Sequence, residues 1–221
     1  PTIGARDNLL REGIAPASIR VTGNTVIDAL QSVAALPWEP PEGDPLRAID
    51  LSRRLLLVTA HRRENLGQPL ARICAALRAL AARGDVQVVY PVHLNPNVWG
   101  PVHDLLSDTP GILLVPPQDY LRLVYLMKRA YLVLTDSGGI QEEAPGLGRP
   151  VLVLREVTER PEGVAAGTAR LVGTDTDRIF REAATLLDDP AAYAAMAHAV
   201  NPYGDGHAAK RIVDSLEESL P

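Results

Sequence analysis

A single cysteine, Cys74, stands among the 221 residues. No disulfide framework can form within the chain, which fits a reducing cytosol and a cytoplasmic location. Cys74 lies in a helical apolar pattern and is expected to pack in the core rather than to act as a nucleophile. A basic excess is also missing: 22 Lys and Arg stand against 27 Asp and Glu, a net charge of −5. That balance argues against a nucleic-acid binder, since no basic excess offsets phosphates along a strand. The arginines therefore need local explanations. No apolar run reaches the roughly 18 residues of a membrane helix, and no signal peptide, internal repeat or low-complexity block is visible. What is present is the composition of an ordinary globule, 46% hydrophobic and 22% charged. The length suits one large domain or one and a half small ones. The first residue is Pro1, so either an initiator methionine was removed or the chain is a piece of a longer one.

Along the chain, Arg6 to Arg11 reads as a helix with Gly13 at its stop position, and Ile19 to Thr22 as a short strand. Thr25 to Ala35 is a helix with Val26, Ile27, Leu30 and Val33 on one stripe. A Pro-rich connector, Leu36 to Pro45, follows. Beyond it strands and helices alternate. The expected strands are Leu55–Thr59, Val86–Tyr90, Ile112–Val115, Leu132–Thr135, Val151–Leu154 and Arg170–Val172. Between them fall helices at Pro69–Ala82, near Asn97–Leu106, at Tyr120–Ala130 with Asp119 as N-cap, and around Gln141–Glu143. A long loop is expected after Leu154, and a helix from Asp177 to Leu187 capped by Thr176. Two more helical segments close the chain, the last with Ile212, Val213 and Leu216 on one face. Six short, nearly all-apolar strands separated by helices predict an α/β fold, a doubly wound parallel Rossmann-like sheet buried on both faces. Ligands of such sheets sit at the carboxyl ends of the strands, and every dense polar loop here follows a strand.

One of these loops is Thr135-Asp136-Ser137-Gly138-Gly139, which leaves an apolar strand and enters a helix whose early turns carry Glu142 and Glu143. Such a turn gathers unpaired backbone N–H groups, and the helix dipole adds roughly half a positive charge there. A phosphate suits that point, and glycines let it approach the backbone. Glutamates pointed at a phosphate would repel it, so they fit better as acceptors for sugar hydroxyls beside it. Phosphate next to a diol describes a nucleotide. A plain βα turn, with glycines for packing and glutamates for solubility, fits the same residues.

Three further loops carry candidate chemistry. Thr59-Ala60-His61-Arg62-Arg63-Glu64-Asn65 offers His61 as a phosphate contact or acid–base group, and Arg62 and Arg63 as phosphate partners. Pro91-Val92-His93-Leu94-Asn95-Pro96 offers His93 and Asn95, although Asn95 equally fits a helix-starting cap. Arg155 to Glu162 mixes charges of both signs and offers Arg160 to a diphosphate, held by nearby glutamates. Solvated, salt-linked loops are the alternative for the first and third. His61 and His93 lie on separate loops with no clustered third ligand, so no metal site is expected.

Taken together and in order, TAHRREN, YPVHLNP, LTDSGGIQEEAP and REVTERPE resemble the non-hydrolysing UDP-N-acetylglucosamine 2-epimerases. The opening ARDNLLREGI and the segment VTGNTVIDAL resemble that family too, so the likeness covers almost the whole chain. The resemblance implies two Rossmann-like domains facing each other across a cleft, a glycosyltransferase-B-type fold. This chain would supply its C-terminal half: residues 1–23 as a remnant of the N-terminal domain and 24–221 as the UDP-binding domain. It implies an isomerase of polysaccharide biosynthesis that interconverts UDP-N-acetylglucosamine and UDP-N-acetylmannosamine, by anti elimination of UDP to a 2-acetamidoglucal and its readdition. No metal, nicotinamide or other cofactor is implied. By position, Ser137, Gly138 and Gly139 would hold the diphosphate, Glu143 the ribose hydroxyls, and His61 and Arg160 would contact the phosphates and assist departure of UDP. Arg62 and His93 would contact a second, regulatory substrate molecule. Leu123 stands where family members often carry Phe, a departure near the expected uracil edge.

The expected partners are UDP and UDP-N-acetylhexosamine, with a homodimer in the full-length protein, no nucleic acid and no membrane. The acidic groups that the family places in its N-terminal domain for proton transfer at the sugar 2-position have no counterpart here. The chain alone is therefore expected to bind UDP without turning over. A glycosyltransferase of the same fold and a non-catalytic nucleotide-sugar-binding module are the rival functions.

Overall fold

The computed structural model describes residues 1–218; the last three residues of the expected domain, 219–221, lie outside the described residues. The chain opens with α1 (Ile3–Arg11), started by Thr2, whose hydroxyl accepts from the Ala5 amide at 3.0 Å. After a 3-10 turn at Pro16–Ser18 comes α2 (Thr25–Ala34), capped by Asn24. Then follow β1 (Arg54–Thr59), α3 (Gln68–Ala81), β2 (Val86–Pro91), α4 (Pro96–Leu106), β3 (Ile112–Val115), α5 (Tyr120–Arg129), β4 (Ala130–Thr135) and α6 (Gly138–Gly146). The chain continues through β5 (Val151–Val153), α7 (Pro161–Ala165), β6 (Ala169–Leu171), α8 (Thr176–Asp188), α9 (Pro190–Ala197) and α10 (Ala208–Glu217).

Six strands form one all-parallel sheet in the order β3-β2-β1-β4-β5-β6. Alternate strand residues feed opposite layers, as the two-residue period of a strand requires. Leu56 and Val58 of β1, Leu152 of β5 and Val88 and Tyr90 of β2 pack with α3, α4 and α8. Leu55, Leu57, Val89, Val151 and Val153 pack with α2, α5 and α6. The sheet is therefore covered on both faces, and its apolar strands are explained by that double burial. Cys74 lies fully buried on α3, and burial pushes its thiol up to about 12. It is a packing residue.

Three expectations are corrected. Ile19–Thr22 joins no sheet. Extended backbone there is held to the C-terminal loop instead: the Asn24 amide donates to the Tyr203 carbonyl at 2.7 Å and Arg211 donates to the Thr22 carbonyl at 3.2 Å. Helix α8 is capped by Asp175, whose Oδ1 accepts from the Arg178 amide at 2.9 Å. Thr176 is the first helical residue, and its hydroxyl donates to the Arg72 carbonyl at 3.0 Å. The long loop after β5 contains α7, which Pro161 can start because the first turn of a helix needs no N–H there. The remaining elements agree within a residue or a few, and Asp119 caps α5 as expected. Asn95 does cap α4, accepting from the Asn97 amide at 3.0 Å.

Candidate functional site

The sheet changes winding direction between β1 and β4. Helix α3, which follows β1, packs in one layer, and α6, which follows β4, packs in the other. Their loops therefore diverge and open a crevice at the carboxyl edge, where ligands of open α/β sheets bind. Thr59 and Thr135 close the ends of the two strands with a 2.6 Å hydroxyl pair.

On the β4 side, α6 starts at Gly138 with Ser137 in the N-cap position. The Ser137 hydroxyl makes no cap hydrogen bond, so the first-turn amides of α6 are left to an outside acceptor. A Cβ on Gly138 would lie 3.7 Å from Arg62 Nη2 and 3.8 Å from the Arg160 guanidinium carbon. Two arginines from different loops thus stand over one glycine at a helix N-terminus.

Each arginine is held. Arg62 Nε donates to the Asp136 carbonyl at 3.2 Å. Arg160 Nε pairs with Glu142 Oε1, and Glu142 Oε2 accepts from Asn24 Nδ2 at 2.7 Å. The Arg160 amide donates to the Thr158 hydroxyl at 3.0 Å, which donates to Gln141 Oε1 at 2.6 Å. Glu142 is thereby spent on Arg160 and Asn24, and is not placed as a sugar acceptor. Glu143 differs: its Oε2 accepts from the Tyr120 hydroxyl at 2.6 Å, and its Oε1 lies 3.6 Å from where a Cβ of Gly139 would sit. Burial raises the Glu143 carboxyl above its ordinary value, the Tyr120 hydrogen bond opposes that, and nearby Glu142 adds to it.

The loop after β1 carries His61, whose ring stacks on His93 at 5.0 Å between centroids and 8° between planes. His93 Nδ1 accepts from the Asn95 amide at 3.0 Å. Burial lowers the His61 pKa first of all; Asp136 raises it, and His93 and Arg62 lower it further. Gly67, at φ 75, turns the chain from this loop into α3, a conformation that favours glycine. Arg155 ties the third loop to the first, donating to Glu64 at 2.5 Å and to both oxygens of Glu159 at 2.5 and 3.0 Å.

The crevice therefore brings together His61, Arg62, Ser137, Gly138, Gly139 and Arg160, with His93 behind His61 and Glu143 one turn into α6. Four contributors were not read as site residues from sequence: Asp136, Asn24, Tyr120 and Tyr203. The Tyr203 hydroxyl accepts from the Gly163 amide at 3.0 Å and donates to the Arg160 carbonyl at 3.3 Å. Asp136 stood in the Gly-rich turn and could have been singled out as a charged residue closing an apolar strand; the others left no local signal. A cavity of about 300 Å³ opens beside Arg160, lined by Asn24, Glu142, Glu159, Glu162 and Tyr203 among others. Among the described residues no group of three or more His, Cys, Asp or Glu is placed to hold a metal ion.

The chain matches the family described as UDP-N-acetylglucosamine 2-epimerase over residues 1–217.

The chain belongs to the UDP-N-acetylglucosamine 2-epimerase family.

A UDP-N-acetylglucosamine 2-epimerase of Escherichia coli strain K12 is 51% identical over a 228-residue alignment that covers 99% of this chain and 60% of the relative. The crystal structure of UDP-GlcNAc 2-epimerase from Neisseria meningitidis bound to UDP-GlcNAc is 44% identical with a TM-score of 0.88, covering 99% of this chain and 60% of that one. An S. aureus MnaA–UDP co-structure is 43% identical with a TM-score of 0.91, covering 100% and 60%. The chain thus spans about 60% of the length of these relatives. A glycotransferase of kitacinnamycin is 18% identical with a TM-score of 0.60, a likeness of fold alone. Among the described residues no helix is long and apolar enough to cross a membrane.

Proposed function

We propose that this chain is the UDP-binding part of a UDP-N-acetylglucosamine 2-epimerase, with residues 24–221 as the nucleotide domain and 1–23 as the tail of a preceding one. The carrying observation is the uncapped N-terminus of α6 under the Arg62 and Arg160 guanidiniums. Backbone amides, a helix dipole and two cations converge there, a set that answers a diphosphate. Ser137, Gly138 and Gly139 hold the phosphates, and Arg160 neutralises them. Glu143 takes the ribose hydroxyls, and His61 hydrogen-bonds the departing diphosphate. Arg62 and His93 meet a second, regulatory substrate molecule, and Arg62 also has the reach to share in the diphosphate.

In the complete enzyme the C2 proton leaves, the C1–oxygen bond to the diphosphate breaks, and the electron pair forms the double bond of a 2-acetamidoglucal. Reprotonation from the other face and readdition of UDP give the epimer. Glu142 is paired with Arg160, Glu159 with Arg155 and Glu162 with the Thr2 hydroxyl at 2.7 Å, while Glu143 is given to the ribose and Asp136 is buried beneath the loop after β1. Proton transfer at C2 therefore belongs to groups facing this wall in the full-length, cytoplasmic, dimeric protein. The deciding experiment is calorimetry with UDP and uridine. UDP binds more tightly, and Gly138→Val weakens UDP, because its side chain fills the space of a phosphate oxygen. Equal affinities for UDP and uridine would remove the phosphate site.

A further inference from the structure

Asp136 is fully buried at the end of β4, yet it serves the loop after β1. Its Oδ2 accepts the His61 amide at 2.8 Å, the Arg62 amide at 2.8 Å and Asn65 Nδ2 at 2.9 Å. Asn65 Nδ2 also donates to the Leu154 carbonyl at 3.1 Å, so the three loops are tied to one carboxylate. The second oxygen is unlike the first. Oδ1 is buried without a hydrogen-bond partner among the described residues, and His61 Nδ1 stands 3.8 Å from it. A buried oxygen is rarely left unmatched. Here the unmatched acceptor faces one ring nitrogen of a histidine whose side chain is 41% exposed.

We propose that Asp136 is the positioning residue of His61. It fixes the neutral imidazole as the Nδ1–H tautomer and turns Nε2, at the far side of the ring, toward the diphosphate end of the substrate, where Nε2 takes a proton from solvent and donates it in a hydrogen bond to the diphosphate. A small ring rotation closes the 3.8 Å separation to a hydrogen bond. When Nε2 receives a proton, the charge that forms on the ring lies against the Asp136 carboxylate, with no proton passing to it. The other groups facing His61 act in the opposite sense: His93, stacked from the loop after β2, and Arg62, next in the chain, both disfavour a charged ring. Asp136 is the one group among these that favours it, so the proton affinity of His61 depends on a residue 75 positions away. The catalytic part rests on the proposed role of His61 in UDP departure; the tautomer does not.

The test is nitrogen-15 NMR of the 221-residue chain over a pH series, beside UDP calorimetry on the same sample. In wild type the neutral His61 ring carries its proton on Nδ1. In Asp136→Asn the side-chain carbonyl keeps the three donors, and the amide NH₂ meets Nδ1 instead. That donor selects the Nε2–H tautomer and lowers the His61 pKa by about one unit or more, the scale set by loss of a neighbouring charge. Asp136→Glu, which restores the charge, brings the pKa back toward wild type. A wild-type ring protonated on Nε2, or a pKa that Asp136→Asn leaves unmoved, overturns the proposal. The wild-type tautomer decides the matter even where the variants do not fold. Absence of UDP binding with the expected tautomer overturns the nucleotide function and leaves Asp136 in its role.

Discussion

At the scale of single residues the site is a set of charges held by other charges. Arg160 makes a charge-assisted bond to Glu142 before any ligand arrives. Arg160→Ala is expected to weaken UDP binding by on the order of 1.5–3 kcal/mol, the usual scale for such a bond, with a smaller effect on uridine. Unchanged UDP affinity would return this loop to a salt-linked surface role. Glu143 gives a pH signature. Burial raises its carboxyl, so it takes up a proton before an ordinary glutamic acid does as pH falls; UDP affinity is expected to fall with it, and Glu143→Gln removes that dependence. Glu159 behaves in the opposite sense: Arg155 brings it down from 4.5 to about 2. A depressed folded pKa stabilises the fold above the unfolded value, and that stability is lost as pH falls through the folded one. The difference in unfolding midpoint between wild type and Glu159→Gln is therefore present at pH 6, shrinks below 4.5 and disappears only as pH falls below about 2. A difference that keeps its pH 6 size down to pH 2 would show that the carboxylate is not held by Arg155.

At the scale of elements, the loops lean on segments that sequence order keeps far apart. Tyr203, 40 positions beyond Gly163, satisfies the amide at the start of α7 and touches the Arg160 carbonyl. Tyr203→Phe leaves that buried N–H unpaired and is expected to cost about 1–3 kcal/mol in urea unfolding, with a fall in UDP affinity alongside. The same geometry explains what could be read beforehand. The six sheet strands were legible because double burial leaves them nearly all apolar, and α3 because Leu70, Ile73, Leu77 and Leu80 share one face. Ile19–Thr22 looked like a strand because its residues suit extended backbone, but pairing is a tertiary fact, and its partners came from the C-terminal loop. Asp175 and Thr176 both suit a cap, and one residue of register decided between them. The glycine turn, His61 and Arg160 announced themselves by residue type. Asp136, Asn24 and Tyr203 did not, since each acts on a loop that only the fold brings near. The direction of a carboxylate is likewise not written locally, and Glu142 turned toward Arg160.

At the scale of the whole molecule, the proposed function makes this chain one wall of a cleft and places the proton-transfer groups on the other. The 221-residue chain is expected to bind UDP while giving no exchange of solvent deuterium at the sugar 2-position, because positioning and acid–base terms account for many orders of magnitude in rate. Robust exchange in a preparation free of host epimerase would move those groups into this chain. A different consequence follows from the central strand pair. The site straddles β1 and β4, whose ends, Thr59 and Thr135, are 76 positions apart. Closing so long a segment is slow, and a site that needs both strand ends is expected to be completed after the rate-limiting step of folding. A nucleotide clasped by both strands should then act on the escape from the folded state rather than on the approach to it. In a chevron experiment saturating UDP is expected to slow unfolding while the refolding limb keeps its rate.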